Sequence, residues 1–243
     1  MTGSVMSVSR LQLELLRQAF SRGSEKLKSA LQMIAGIAPE DVALKVIACR
    51  PGEFHDRTGL GNDPLTLVES NVHGDVEGDI LLVQRHADFQ VFGRVIENAV
   101  LGNSSPGSED GFVPDWLEGR DRAERDEETT CQYCEDAFTE MANVLFGGLL
   151  VSLYENFQLA TFQDMPRLTS LDRRQVTLSK NLSRAAREGD VALNVEIECF
   201  PGGSDFKSWL VFLPLSSGVR TFLDHQTARG VPRTVKKPGM PPG

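Results

Sequence analysis

The amino-acid sequence predicts an α+β fold: one pseudo-two-fold domain in which long helices pack on an antiparallel sheet. Runs rich in β-branched and apolar residues, separated by glycine-containing turns, indicate strands and hairpins. Segments with apolar residues every three or four positions indicate amphipathic helices. The order helix, strand, hairpin, helix occurs twice along the chain. Two half-sheets that are too small to stand alone are expected to join into one sheet covered by helices.

The first half begins with a helix predicted from about Arg10 to Ile34. Ser9 followed by Gln12 is a capping-box pattern, and apolar residues keep helical spacing after it. The remaining elements of this half are strands at 42–49, 65–72 and 79–84, with the turn HGDVEG between the last two, and a helix from about 88 to 101.

An acidic insertion, residues 102–130, separates the halves. It begins with Gly, Ser and Pro and continues with nine acidic residues against three arginines. Such a segment is too polar to offset the entropy of ordering it, so we expect a linker. The second half is predicted as a helix from about 133 to 155, strands at 191–200 and 206–215, and a short helix from 217. The basic, Pro/Gly-rich residues 227–243 are predicted to be a disordered tail. The predicted domain is 8–226, with pseudo-repeats 8–101 and 131–226.

The two halves share their apolar residues but not their polar ones. Shifting the chain by 122 residues places Phe138, Ala142 and Leu149 on Leu16, Phe20 and Leu27. Under the same shift, four other positions hold different residues in the two halves: Asp136 falls on Glu14, Glu140 on Gln18, Asn143 on Ser21, and Pro166 on Leu44. The first copy therefore keeps the helix scaffold without the polar set.

The polar set of the second helix lies on one narrow face. At about 100° per residue, Asp136, Glu140, Asn143 and Gly147 project within roughly 60° of one another. A solvated outer face accounts for polar residues in general. Asn, however, is a poor helix former, and glycine costs about 1 kcal/mol against alanine in a helix. Both residues on one face indicate that another molecule approaches it closely.

A family resemblance accompanies this pattern. The string Asp136-x3-Glu140-x2-Asn143, followed by Pro166 after a gap of 22 residues, resembles the signature of the CheC/CheX/FliY family of chemotaxis phosphatases. GDVEGDILLV at 74–83 resembles the glycine-bounded hairpin of that family, and LQLELLRQAF at 11–20 resembles its opening helix. The likeness spans most of 10–101 and 131–225 and leaves out the insertion and the tail.

The resemblance implies a phosphatase that acts on the aspartyl phosphate of phosphorylated CheY or a related receiver domain. It implies that Asn143 orients the attacking water, that Glu140 pairs with a lysine of the receiver, and that Asp136 supports docking. Gly147 would leave room for the partner's backbone, and Pro166 belongs to the binding signature. The chain itself would need no cofactor, because the Mg²⁺ belongs to the receiver. The first copy would be inactive.

The composition of the chain and its other motifs bear on alternative functions. A net charge of −9 argues against nucleic-acid binding. The sequence shows no export signal, and its longest apolar run is shorter than a membrane span, so a cytoplasmic protein is expected. Cys131 and Cys134 form a C-x2-C motif, for which metal or redox chemistry and incidental thiols both stay open. The rival function is a noncatalytic adaptor that binds a receiver or a CheD-like protein.

Overall fold

The computed structural model describes residues 9–35, 37–61, 63–102, 127–169, 174–188, 191–200 and 205–230. The strands within these residues are Val42–Cys49 (β1), Leu65–Gly74 (β2), Gly78–Arg85 (β3), Thr161–Gln163 (β4), Arg167–Leu168 (β5), Ala192–Cys199 (β6) and Phe206–Pro214 (β7). The helices are Arg10–Ala35 (α1), Phe54–Thr58 (α2), His86–Gly102 (α3), Glu127–Phe157 (α4), Arg174–Glu188 (α5) and Ser216–Gly230 (α6). Short 3-10 turns precede β1 and α2, at Pro39–Asp41 and Pro51–Glu53.

The described strands form one antiparallel sheet. Its order is β1-β6-β7-β3-β2-β4, and β5 also pairs with β2. The hairpins β2–β3 and β6–β7 meet at the centre, where β3 pairs with β7. Strand β1 comes before the hairpin β2–β3 in the first half, and β4 comes before the hairpin β6–β7 in the second half. When the strand order is counted from opposite edges of the sheet, the strands of the two halves occupy equivalent positions. This arrangement confirms the predicted pseudo-two-fold α+β domain.

Helices cover both faces of the sheet. On one face, the larger core unites α1, α3, α4 and α6 with alternate residues of the strands, such as Val68, Leu82 and Leu210. On the other face, the smaller core unites α2 and α5 with the intervening residues, such as Leu81 and Val211. The sequence predicted the first helical layer. It did not identify α5, although Leu178, Leu182 and Ala185 have the i, i+4, i+7 spacing of a buried helix face.

The predicted first half agrees closely with the structure. Its opening helix runs from Arg10 to Ala35, and its strands and hairpin lie where they were expected. The capping box is formed: the Ser9 amide donates to Gln12 Oε1 at 2.8 Å, and the Gln12 amide donates to Ser9 Oγ at 3.3 Å. These bonds satisfy two amides that a helix start would otherwise leave unpaired.

Two helices extend into segments for which the sequence predicted no helix. Helix α4 begins at Glu127, so residues 127–130 of the predicted acidic insertion are helical. Helix α6 continues to Gly230, so residues 227–230 of the predicted tail are helical. The remaining residues of both predicted segments, 103–126 and 231–243, lie outside the described residues.

Helix α4 is unusually apolar for a helix with an exposed face. In the described chain, its segment Cys134–Glu155 is long and apolar enough to cross a membrane, judged by length and composition only. Half of that segment is buried inside the fold. Packing against α1 and the sheet accounts for this composition.

Candidate active site

Helix α4 holds the candidate site from behind. Residues such as Phe138, Met141, Leu145 and Leu149 are at most 1% exposed and form its buried side. The helix ends at Phe157, and Gln158 then adopts a left-handed conformation with φ 58°. Its amide donates to the Tyr154 carbonyl at 2.7 Å, which closes the last turn. The chain is thereby turned back, so that β4 runs beside the helix it has just left.

Four predicted site residues share the outer face of α4. Asp136, Glu140 and Asn143 are exposed, and Gly147 is partly exposed. A Cβ atom added to Gly147 would meet no atom within 4 Å, so this part of the helix surface is open. The structure thus brings these four residues together in the arrangement that helical spacing predicts.

The Glu140 carboxylate and the Asn143 carboxamide differ in their contacts. Glu140 makes no hydrogen bond or ion pair with any residue that the structure describes, so its charge stays available to a partner. Asn143 Oδ1 accepts a hydrogen bond of 2.9 Å from Gln163 Nε2, and the same donor lies 3.3 Å from the Asn143 main-chain carbonyl oxygen. Gln163 belongs to β4. Sequence reasoning missed it, because no local pattern connects residues 20 positions apart on different elements.

Pro166, the fifth predicted site residue, lies elsewhere. It is buried in the segment between β4 and β5, and it does not belong to the exposed face of α4. Proline has no amide hydrogen to donate to a ladder, so it suits the break between these two short strands. Leu44, its counterpart under the 122-residue shift, lies within the uninterrupted strand β1 and pairs with Ile197. The predicted part of Pro166 in binding stays a prediction, and its side chain does not share the exposed face of α4.

The outer face of α4 becomes apolar toward its C-terminal end. Val151 is 51% exposed and Tyr154 is 53% exposed. At about 100° per residue, both project within roughly 60° of Asp136 and so extend the same stripe. The face therefore combines charged, amide and apolar groups, a composition typical of surfaces that bind proteins.

Solved structures resemble this arrangement of helices and sheet. FliY from Thermotoga maritima matches with a TM-score of 0.56 and 15% sequence identity, over 92% of this chain and 100% of that chain. The chain has the CheC/CheX/FliY fold. FliM in a FliM–SpeE complex from H. pylori matches with a TM-score of 0.50 and 13% identity, over 91% of this chain and 97% of that chain. CheX in a CheX–CheY–BeF3–Mg²⁺ complex from Borrelia burgdorferi has a TM-score of 0.45 and 16% identity, over 80% and 96%. No family model and no curated protein matches by sequence.

Within this CheC/CheX/FliY fold, the first copy of the stripe is occupied by contacts inside its own helix. Glu14 accepts hydrogen bonds from Arg17 Nη2 at 2.7 Å and from Gln18 Nε2 at 3.0 Å. The bond from Arg17, and secondarily that from Gln18, lowers the pKa of Glu14 to about 2. Ser21 Oγ donates to the Arg17 carbonyl at 2.9 Å. At the positions equivalent to Glu140 and Asn143, this copy has Gln18 and Ser21, and the side chains of both are engaged within α1.

The C-x2-C motif is only partly described. Cys134 is buried, and a Cβ atom on Gly93 of α3 would lie 2.8 Å from its sulfur. Cys134 therefore occupies the close contact between α3 and α4. Among the described residues, no three His, Cys, Asp or Glu side chains are grouped to hold a metal ion. The side chain of Cys131 lies outside the described part of the chain.

Proposed function

We propose that this protein is a cytoplasmic phosphatase that removes the phosphoryl group from the aspartyl phosphate of a CheY-like receiver domain in chemotaxis or related signalling. One observation carries the proposal. A carboxamide, Asn143, stands on an exposed helix face beside a carboxylate, Glu140, that has no partner among the described residues, and the opposite side of the helix is buried. This geometry lets both groups enter the active site of another protein without rearranging their own fold.

The residue types suit a reaction that needs positioning more than proton transfer. A carboxamide is neither an acid nor a base near neutral pH, so Asn143 acts by holding a water through hydrogen bonds. That water attacks the phosphorus atom in line with the aspartyl oxygen. The bond from phosphorus to the aspartyl oxygen breaks, its electron pair stays on the receiver's carboxylate, and the proton of the water passes to the phosphate product. Mg²⁺ bound in the receiver would neutralise charge on the phosphoryl group.

Glu140 and the rest of the stripe supply the docking contacts. Its carboxylate would form a charge-assisted hydrogen bond with a lysine of the receiver and so set the register of the helix in the partner's site. Asp136 would support docking on one side of this contact. Val151 and Tyr154 would add apolar contact on the other side, since exposed aromatic residues often anchor protein interfaces.

The test is the decay of a phosphorylated receiver labelled on its phosphoryl group. The wild-type protein should accelerate loss of label, and Asn143→Ala should reduce the rate to that of the receiver alone while circular dichroism stays unchanged. Ser21→Ala, at the equivalent place in the first copy, is the matched control and should retain full activity. Equal activity of wild type and Asn143→Ala would remove Asn143 from the mechanism.

A second candidate is a noncatalytic adaptor that binds a receiver or a CheD-like protein. The likeness to FliM, found in complex with SpeE, favours a protein-binding role for the same fold. The adaptor would bind phosphorylated and unphosphorylated receivers with equal affinity and would not turn them over. Retention of Asn143 beside Glu140 favours the phosphatase, because binding alone does not need an amide that orients water.

A further inference from the structure

The hydrogen bond between Gln163 and Asn143 determines which way both amides face. An amide group carries a donor and an acceptor, and the two ends have similar shapes. Gln163 faces two atoms of Asn143, Oδ1 at 2.9 Å and the main-chain carbonyl oxygen at 3.3 Å. The main-chain carbonyl can only accept, so Gln163 must present its NH2 group to it. That NH2 group then requires the oxygen of the Asn143 carboxamide, and Asn143 Nδ2 must point the other way.

Strand β4 fixes the backbone of Gln163 against β2. Val72 of β2 pairs with Gln163 in the sheet. The next residue, Asp164, donates its amide to the Asn71 carbonyl at 3.0 Å, and its own carbonyl accepts from Ser70 Oγ at 2.7 Å. The Asp164 carboxylate also lies 3.2 Å from His73 Nε2. These contacts hold the strand against the sheet, so the backbone from which the Gln163 side chain extends is fixed.

Helix α4 holds Asn143 in the same way. The neighbouring residues Ala142 and Leu145 are fully buried, so the backbone of Asn143 is fixed by the core. The side chain keeps rotation about χ1, which has staggered wells, and about the terminal bond, for which the preference is weak and roughly two-fold. A donor on one side, carried by a backbone that the sheet fixes, selects one of these two orientations.

We infer that Gln163 is a positioning residue for the reaction proposed above: it holds the Asn143 carboxamide with the NH2 group toward the incoming water. This inference rests on the proposed function. With Oδ1 engaged by Gln163, Nδ2 is the part of the amide that meets the water. It donates to one lone pair of the water and leaves the second lone pair to attack phosphorus. The opposite orientation would present an acceptor instead and would bind the water differently.

Two substitutions separate donor loss from reversal of the amide. Gln163→Met keeps a long side chain and removes the donor. Gln163→Glu keeps the shape, but at neutral pH its carboxylate only accepts, which favours the reversed orientation of Asn143. One neutral hydrogen bond corresponds to about a 2- to 13-fold change in rate, so kcat should fall by about that factor in Gln163→Met. The fall should be larger in Gln163→Glu. KM should stay within about twofold in both, because Gln163 acts on Asn143 and not on docking.

Controls distinguish this role from a structural one. Gln32→Glu, at an exposed position of α1, adds the same charge and should leave kcat and KM unchanged. In the unmodified protein, NMR should show nuclear Overhauser contacts between the Gln163 NH2 protons and the Asn143 side chain. This measurement does not depend on any variant folding.

The outcomes are distinct for the two proposals. If Asn143→Ala is active, the proposed phosphatase mechanism fails. If Asn143→Ala is inactive while both Gln163 variants keep the wild-type kcat, the positioning role alone is overturned. A rise in KM with unchanged kcat in the Gln163 variants would also overturn it, since that result assigns Gln163 to docking. Absence of the NMR contacts would do the same.

Discussion

Replacing Gly147 with alanine should stabilise the fold and weaken the proposed reaction at the same time. Gly147 lies inside α4, and a Cβ atom there would meet no atom within 4 Å. Its φ lies outside the left-handed range, so alanine fits without strain. Under these conditions Gly→Ala stabilises a helix by about 0.4–1 kcal/mol, mainly by restricting the unfolded chain. For a chain of this size, Tm should rise by about 1–4 °C.

The effect on activity has the opposite sign if the receiver's backbone lies against this position. A methyl group forced into a packed contact costs about 1–3 kcal/mol, which corresponds to a rise in KM of about 5- to 150-fold. The assay is the loss of label from a phosphorylated receiver at several receiver concentrations, combined with thermal unfolding followed by circular dichroism.

Gly148→Ala is the matched control. Gly148 follows Gly147 in the same helix but faces α1, where an added Cβ atom would lie 4.0 Å from Leu27 Cδ2, an ordinary contact. It should gain similar stability with unchanged KM and kcat. If Gly147→Ala leaves both constants unchanged, no partner approaches this glycine. If Gly148→Ala raises KM equally, the effect belongs to the helix and not to its outer face.

Three further predictions concern stability and reactivity. Arg174 is 3% exposed and donates hydrogen bonds to oxygen atoms of Thr169, Leu65, Thr66 and Glu135. Arg174→Met should therefore lower the free energy of unfolding by about 3 kcal/mol or more and Tm by roughly 6–12 °C. Arg187→Met, at an exposed position of the same helix, should have little effect, and equal Tm values for the two variants would contradict this reasoning. Burial raises the pKa of Cys49 to about 11 and of Cys199 to about 12. At pH 8, about a thousandth or less of either thiol is therefore ionised. Iodoacetamide should modify both cysteines only after denaturation, as mass spectrometry of the treated protein would show. Hydrogen bonds from His73, and secondarily Asn71, lower the pKa of Asp164 below 3.8. That pairing stabilises the fold above pH 3.8, and the stabilisation is lost as pH falls through the folded-state pKa. Asp164→Asn should therefore lower the urea concentration at which half of the protein is unfolded at pH 7, but should not change it at a pH low enough to protonate Asp164 in both states. A difference that persists at that low pH would refute this cause.

Much of the fold follows from local patterns in the sequence. The strands of both hairpins and the start of α1 could be predicted because their periodicity and capping involve residues a few positions apart. Helix α5 was missed because the described part of the helix has only three buried apolar residues, Leu178, Leu182 and Ala185, among polar neighbours. Its assignment depends on the second face of the sheet, which no local pattern reveals.

The sequence by itself determined the exposed stripe of α4. Helical geometry places Asp136, Glu140, Asn143 and Gly147 on one side whatever the helix packs against, because the spacing of side chains around a helix is a local property. The loss of the polar set in the first copy was likewise visible from the aligned halves.

Only the tertiary structure decided what surrounds that stripe. It buried Pro166 and brought Gln163 to Asn143, because the chain reverses after Phe157 and β4 joins the sheet beside α4. Contacts of this kind depend on the register between a strand and a helix, which the packing of the whole core sets. The orientation of the Asn143 carboxamide is therefore a property of the fold, whereas its presence on the outer face is a property of the sequence.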